Sequence, residues 1–187
     1  MALSYTSRII LFIVISVAFI RFSWKPLKNR RCHGFYRFFA FEGILLLLML
    51  NITVWFDDPF SPIHLVSWFF LFSSIVMVVQ GFYLLKNIGG RGERDDEVEN
   101  FNFEKTAHLV EVGIYRFVRH PMYASLLLLA WGIVLKQPTM LPIGLGIGTS
   151  AALLATARIE EGENIAYFGS RYSDYMVRSK MFIPFVL

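Results

Sequence analysis

The chain has 187 residues, 56% of them hydrophobic, and a mean hydropathy of +0.53. That is too apolar for an ordinary soluble domain and predicts an all-α, integral membrane helical bundle. A net charge of +4, a single cysteine (Cys32) and four scattered histidines exclude an internal disulfide, offer no Cys/His metal pattern and leave no separate basic domain for nucleic acid.

Residues 9–20 form an uncharged run of twelve, apolar but for Ser16, between Arg8 and Arg21. The run is short for a span unless residues 2–7 or 22–24 extend it, and its length also fits a signal-peptide core. No small-residue cleavage site follows, and cleavage would send a strongly basic segment across the membrane, so it reads as a retained first span. Residues 21–37 carry Arg21, Lys25, Lys28, Arg30, Arg31 and Arg37 with no acid, the signature of a cytoplasmic loop. Residues 38–56 read as the second span, broken by Asp57, Asp58 and Pro59, and Pro62 opens a third that runs to about residue 85. The connection between them is short and acidic, which puts it outside.

Residues 86–119 are the longest polar stretch, with Gly89, Gly90 and Gly92 and a charge run from Arg91 to Glu99. No strand precedes these glycines and no Gly-Lys-Ser/Thr signature follows, so they read as a hydrated loop rather than a phosphate cradle. Pro121, suited to a first helical turn, opens a fourth span to about residue 135. Lys136, Gln137 and Pro138 make a tight turn into a fifth span at 139–157, giving an antiparallel hairpin. Gly144 and Gly148 are four apart in that span, a spacing that lets helix backbones approach. Beyond Arg158 the chain ends in an amphipathic helix with Ile165, Tyr167, Phe168, Tyr172, Tyr175 and Met176 as its apolar and aromatic positions.

The expectation is one membrane domain, 1–187, with three N-terminal spans in 1–85 and a half carrying the last two spans and the tail in 86–187. With the N-terminus outside and the C-terminus cytoplasmic, sixteen of the eighteen Lys and Arg fall on the cytoplasmic side, all but Arg8 and Lys136, as the positive-inside rule requires.

Chemistry is expected at residues 108–123, where His120 and Arg119 precede Pro121 at a helix N-terminus that favours an anionic group. Glu160 and Glu161 follow the fifth span on the same side, either as functional acids or as a solvated pair. Glu42 and Gln80 lie inside spans two and three, and intramembrane acids suggest function by default, though Glu42 is shallow enough to snorkel. Tyr115 and Tyr123 also fit interfacial belt positions.

Leu109, Val110, Gly113, Tyr115, Arg119-His120-Pro121-x-Tyr123, the hairpin, Glu160-Glu161, Phe168-Gly169 and Tyr172-x-x-Tyr175 together resemble the isoprenylcysteine carboxyl methyltransferase and phospholipid methyltransferase superfamily. The resemblance covers residues 107–184. It implies an integral membrane methyltransferase using S-adenosylmethionine, with cofactor contacts on His108, Leu109, Val110, Tyr115, His120, Pro121, Met122, Tyr123 and Glu160, and Glu161 as a second acidic candidate. No nucleophilic residue is required, because methyl transfer needs alignment of donor and acceptor and exclusion of water. Arg119, Arg158 and Glu42 are the positioning candidates.

Two positions depart from the pattern. Ala107 stands where isoprenylcysteine-modifying members carry His, and Thr156 where they carry an acceptor-binding Arg; Arg158 lies two residues on, about 200° round a helix. The expected acceptor is a lipophilic molecule from the bilayer, a lipid or small molecule in preference to a prenylated protein. Arg-His-Pro also occurs in membrane sterol reductases, so an NADPH-dependent reductase is the rival enzyme, and a noncatalytic scaffold or small transporter the rival class.

Overall fold

The computed structural model describes residues 4–90 and 106–184; the charge run from Arg91 to Glu99, with Gly92 and Lys105, lies outside the described residues. Among those described, six α-helices carry the fold: α1 (Tyr5–Phe22), α2 (His33–Asn51), α3 (Pro62–Ile88), α4 (Pro121–Val134), α5 (Met140–Phe168) and α6 (Ser170–Arg178). The only β pairing among them is an isolated parallel bridge between Val118 and Lys180.

Start signals in the sequence set the helix ends. The Ser4 hydroxyl accepts from Ser7 N to cap α1, and Pro62 and Pro121 occupy the first turns of α3 and α4, where a missing N–H costs nothing. The second helix begins five residues before the expected residue 38, after Cys32, which draws Arg37 out of the basic loop and into the bundle. The fifth does not stop near residue 157 but runs unbroken for 29 residues, to Phe168. Gly169 then turns the chain at a φ of +64°, a conformation glycine adopts without a Cβ clash. The expected amphipathic tail helix is thus divided: Ile165 and Tyr167 ride the exposed end of α5, and Tyr172 and Tyr175 are the buried face of α6.

Four helices, α1, α2, α3 and α5, are long and apolar enough to cross a membrane. The fifth apolar helix, α4, has 14 residues, about 21 Å against a hydrocarbon core of about 30 Å. It packs along α3, while α2 packs along α5. One core cluster gathers Ala40, Val118, Tyr123, Ala124, Leu153, Ala157 and Phe182, and a second gathers Ile44, Leu47, Leu71, Ala130, Ile133 and Val134. The outermost helix, α1, buries no residue and is tied to α2 by Ser16 Oγ donating to Glu42 Oε2 at 2.7 Å and by Arg8 Nη1 donating to the Met49 carbonyl at 3.2 Å.

The ends of the bundle are distinct. At one, the His64 ring lies between the carbonyls of Asp58 (3.0 Å) and Lys136 (2.9 Å), and the Lys136 ammonium sits 3.3 Å from the centre of a Trp68 ring. At the other, His33 meets Glu163, and α6 folds back beneath the bundle.

The glycine contacts correct one expectation. A Cβ at Gly144 or Gly148 would meet no described atom within 4 Å, so neither brings helices together. The helix is instead approached closely at Gly146, against Val134, and at Thr149, whose hydroxyl would overlap a Cβ placed on Gly43. Gly43→Ala should therefore destabilise the protein by about 1–3 kcal/mol through overpacking, and the loss should largely vanish in a Thr149→Ala background. Thermal unfolding of the two single variants and the double in detergent checks this.

Candidate functional site

The segment entering α4 is held from three directions. Arg119 N donates to the Lys180 carbonyl (2.7 Å), His120 N to the Met181 carbonyl (3.1 Å), and Lys180 N to the Phe117 carbonyl (2.9 Å). The Arg119 side chain adds Nε to Glu161 Oε1 at 2.7 Å and Nη1 to the carbonyls of Met176 and Ser179. Side-chain exposure is 9% for Arg119 and 8% for Glu161, so the pair is a buried one linking the start of α4, the end of α5 and the tail. The Tyr175 hydroxyl donates to the Tyr115 carbonyl at 2.6 Å, fixing α6 against the segment before α4.

These ties shape a cleft of about 960 Å³, counting its open mouth. Of the expected cofactor residues, Leu109, Val110, Tyr115, His120, Pro121, Met122, Tyr123 and Glu160 line it, and Arg119 lines it as well. Helix geometry separates the two adjacent acids by about 100°. Glu160 turns to the cleft and accepts from the Tyr123 hydroxyl, and Glu161 turns to Arg119. The His120 ring bridges them, with Nδ1 3.9 Å from Glu160 and Nε2 3.4 Å from Glu161, and stacks on Tyr123 with centroids 5.5 Å apart. The first helical bond of α4 is Ala124 N to the His120 carbonyl, so the amides of Met122 and Tyr123 precede the ladder at the positive end of the helix dipole. Burial, then the charges of Glu160 and Glu161, push the Tyr172 hydroxyl well above the ordinary tyrosine range. It stays protonated at the cleft wall and remains a donor.

Four expectations change. Glu161 does not line the cleft; it anchors Arg119. His108 is exposed and also lies off the lining, with its backbone N bonded to the Gly89 carbonyl. Glu42 faces α1 through Ser16 rather than the cleft. Arg158 is exposed on an unbroken helix, and without local unwinding it stays turned away from the site; Thr156 beside it is fully buried, its hydroxyl donated to the Ala152 carbonyl.

Lining residues that sequence reasoning left out include Arg37 and Phe41 from α2, Val78 and Leu85 from α3, Thr106, and Asn164 one turn after Glu160. Arg37 was legible only to a reading that started the second helix early, since a basic residue at a helix start looks like part of the loop.

Arg119→Ala strips Glu161 of its guanidinium while leaving it buried, a change that costs about 3–5 kcal/mol. Unfolding of Arg119→Ala, Glu161→Gln and the double variant should give a coupling energy above about 1 kcal/mol; additive losses would mean the pair does not act as a unit.

The phospholipid methyltransferase family matches residues 63–171, more than half of the chain. A methanethiol S-methyltransferase of Crocosphaera subtropica is 26% identical over 160 residues, which cover 78% of this chain and 59% of that protein. The chain therefore spans about three fifths of that relative's length. No solved structure matches. The matched segment runs from α3 through the entry to α4 and the paired acids of α5 into α6, and the chain belongs to the phospholipid methyltransferase family, a family of membrane methyltransferases.

Proposed function

We propose that the protein binds S-adenosylmethionine in the cleft at the start of α4 and transfers its methyl group to a lipophilic acceptor that enters from the bilayer. The observation that carries this reading is the set formed by Glu160, Tyr123, His120 and the first turn of α4, all on one cleft wall. The donor set fits the group. The first-turn amides, His120 and the helix dipole suit a carboxylate, Glu160 suits an ammonium or ribose hydroxyls, and the faces of Tyr115, Tyr123 and Tyr172 suit a sulfonium. The cofactor supplies an electrophilic methyl carbon: the acceptor's lone pair forms the new bond as the carbon–sulfur bond breaks onto sulfur.

The protein's own part is alignment and exclusion. Phe41, Val78, Leu85 and Leu126 make the apolar wall, which keeps water from the reacting centre and receives a lipophilic chain. Tyr123 and His120 hold Glu160 in one position, and Arg119 holds the helix start against the tail. Membership of the methyltransferase family, together with paired acids within the matched segment, favours this reading over the reductase that Arg-His-Pro alone allowed.

Calorimetry in detergent should detect S-adenosylmethionine binding and no NADPH binding. Glu160→Gln and His120→Ala should each weaken donor affinity by about tenfold or more, the worth of a charge-assisted contact; unchanged affinity in both would falsify the site. For the membrane orientation, the charge distribution supports the site and tail facing the cytoplasm. A cysteine at Asp57 should then be labelled by an impermeant maleimide from outside and one at Val177, exposed on α6, should not; the reverse pattern would invert the topology.

A further inference from the structure

The loop between α1 and α2 carries charges that the cleft does not use. Arg21, Lys25, Lys28, Arg30 and Arg31 are all exposed, and residues 1–41 contain no acid. Among the described residues, none of these five cations is in an ion pair. The exposed arginines of α6 differ, since Arg171 and Arg178 both reach Glu111. Like charges gathered within residues 21–31 repel one another unless a counter-charge lies opposite them.

The loop is nonetheless folded. Leu27 N donates to the Ser23 carbonyl, Lys28 N to Lys25 and Asn29 N to Pro26, a run of tight turns. Its underside is buried at Ser23, Pro26 and Cys32. The Cys32 thiol donates to the Asn29 carbonyl at 3.2 Å, and Pro26 lies so close to Gly34 of α2 that a Cβ there would overlap it. Setting the orientation of a span needs only the number of cations beside it. It does not need them presented outward on a packed scaffold, as they are here.

Level and flanking residues identify the counter-charge. The helix before the loop, α1, has 18 residues, about 27 Å against a hydrocarbon core of about 30 Å, so the loop stands at the headgroups. Since α1 buries no residue, it meets lipid along its length. Phe22 and Trp24, 77% and 57% exposed, are of the type that settles at a membrane interface, and the Lys28 ammonium lies 5.3 Å from the centre of the Trp24 ring. We propose that residues 21–31 form a binding surface for the anionic phospholipid headgroups of the leaflet at the cleft end of the bundle. Phosphate oxygens accept from the guanidinium and ammonium groups while Phe22 and Trp24 enter the acyl boundary. His33, just beyond the loop, bonds to Glu163 on α5, so the same headgroups brace the corner of the bundle beside the cleft. The rival occupant is the acidic run at 93–99 of this chain. That run follows α3, which packs on α4, whereas the loop joins α1 to α2, and an acidic peptide gives the exposed aromatics nothing to enter.

Trp24 is the probe for the test. The full chain is reconstituted into nanodiscs of equal parts phosphatidylcholine and phosphatidylglycerol, with bromine on the acyl chains of one lipid or of the other. Quenching of Trp24 is read as the difference between each protein and its Trp24→Phe form. At low salt, quenching by brominated phosphatidylglycerol should correspond to a local enrichment over phosphatidylcholine of at least about fivefold, what one cation near an anionic surface contributes. The enrichment should fall towards unity in about 1 M salt, where charges are screened within about 3 Å, and in the combined variant Lys25→Gln, Lys28→Gln, Arg30→Gln and Arg31→Gln. Equal quenching by the two lipids in the wild type overturns the proposal whether or not the variant folds. If enrichment then emerges with Asp95→Asn, Asp96→Asn, Glu97→Gln and Glu99→Gln, the acidic run is the occupant. Enrichment unchanged by the four substitutions in the loop overturns it as well, by assigning the attraction to other groups.

Discussion

Arg119 joins three parts of the chain that are far apart in sequence: its own segment ahead of α4, Glu161 on α5 and the carbonyls that end α6. A single guanidinium can do this because its planar fork donates in several directions at once and never loses its charge. A buried ion pair of this kind is not in itself a large source of stability, since both charges had to leave water. Its effect is to define one arrangement. With the backbone bonds to Lys180 and Met181 and the Tyr175 hydroxyl on the Tyr115 carbonyl, it holds the helix start, the two acids and the aromatic tail around one cleft.

Because the anchor consumes Glu161, the adjacent pair of acids divides its work. Successive residues on a helix face different ways, so one carboxylate can hold the scaffold while its neighbour faces the cleft. His120 lies between the two and couples them, and its own backbone is tied to the tail through Met181. Anchoring and cleft-facing carboxylates are therefore neighbours in sequence and separated by one ring in space.

Much of this was legible in the sequence where a local signal had one physical meaning. Pro121 starts a helix because it lacks an N–H, and Lys136-Gln137-Pro138 makes the hairpin that returns Glu160 to the start of α4, whereas the turn at Gly169 falls inside what reads as one amphipathic tail helix. What the sequence concealed depends on which way a side chain faces. Gly144 and Gly148 have the spacing of a packing motif but look outward, while Gly43, with no partner at that spacing, is the close contact. Glu42 carries the marks of an intramembrane functional acid and instead clasps α1. Arg37 sits at the end of a basic run that reads as topology signal, yet the helix begins early enough to bury it. Period and composition report that a residue is helical; its neighbour is decided by the rotation of whole helices, which no local pattern encodes.

The shortness of α4 has a consequence for ionic conditions. A helix of 14 residues that packs beside one of 27 begins below the level at which its neighbour ends, so its positive N-terminus opens into the recess rather than onto the surface. Dissolved salt attenuates charges over about 8 Å in physiological solution, and far less where protein and lipid exclude the ions. The field of this helix start is thus set by the walls of the recess and is less sensitive to ionic strength than the field of an exposed helix end.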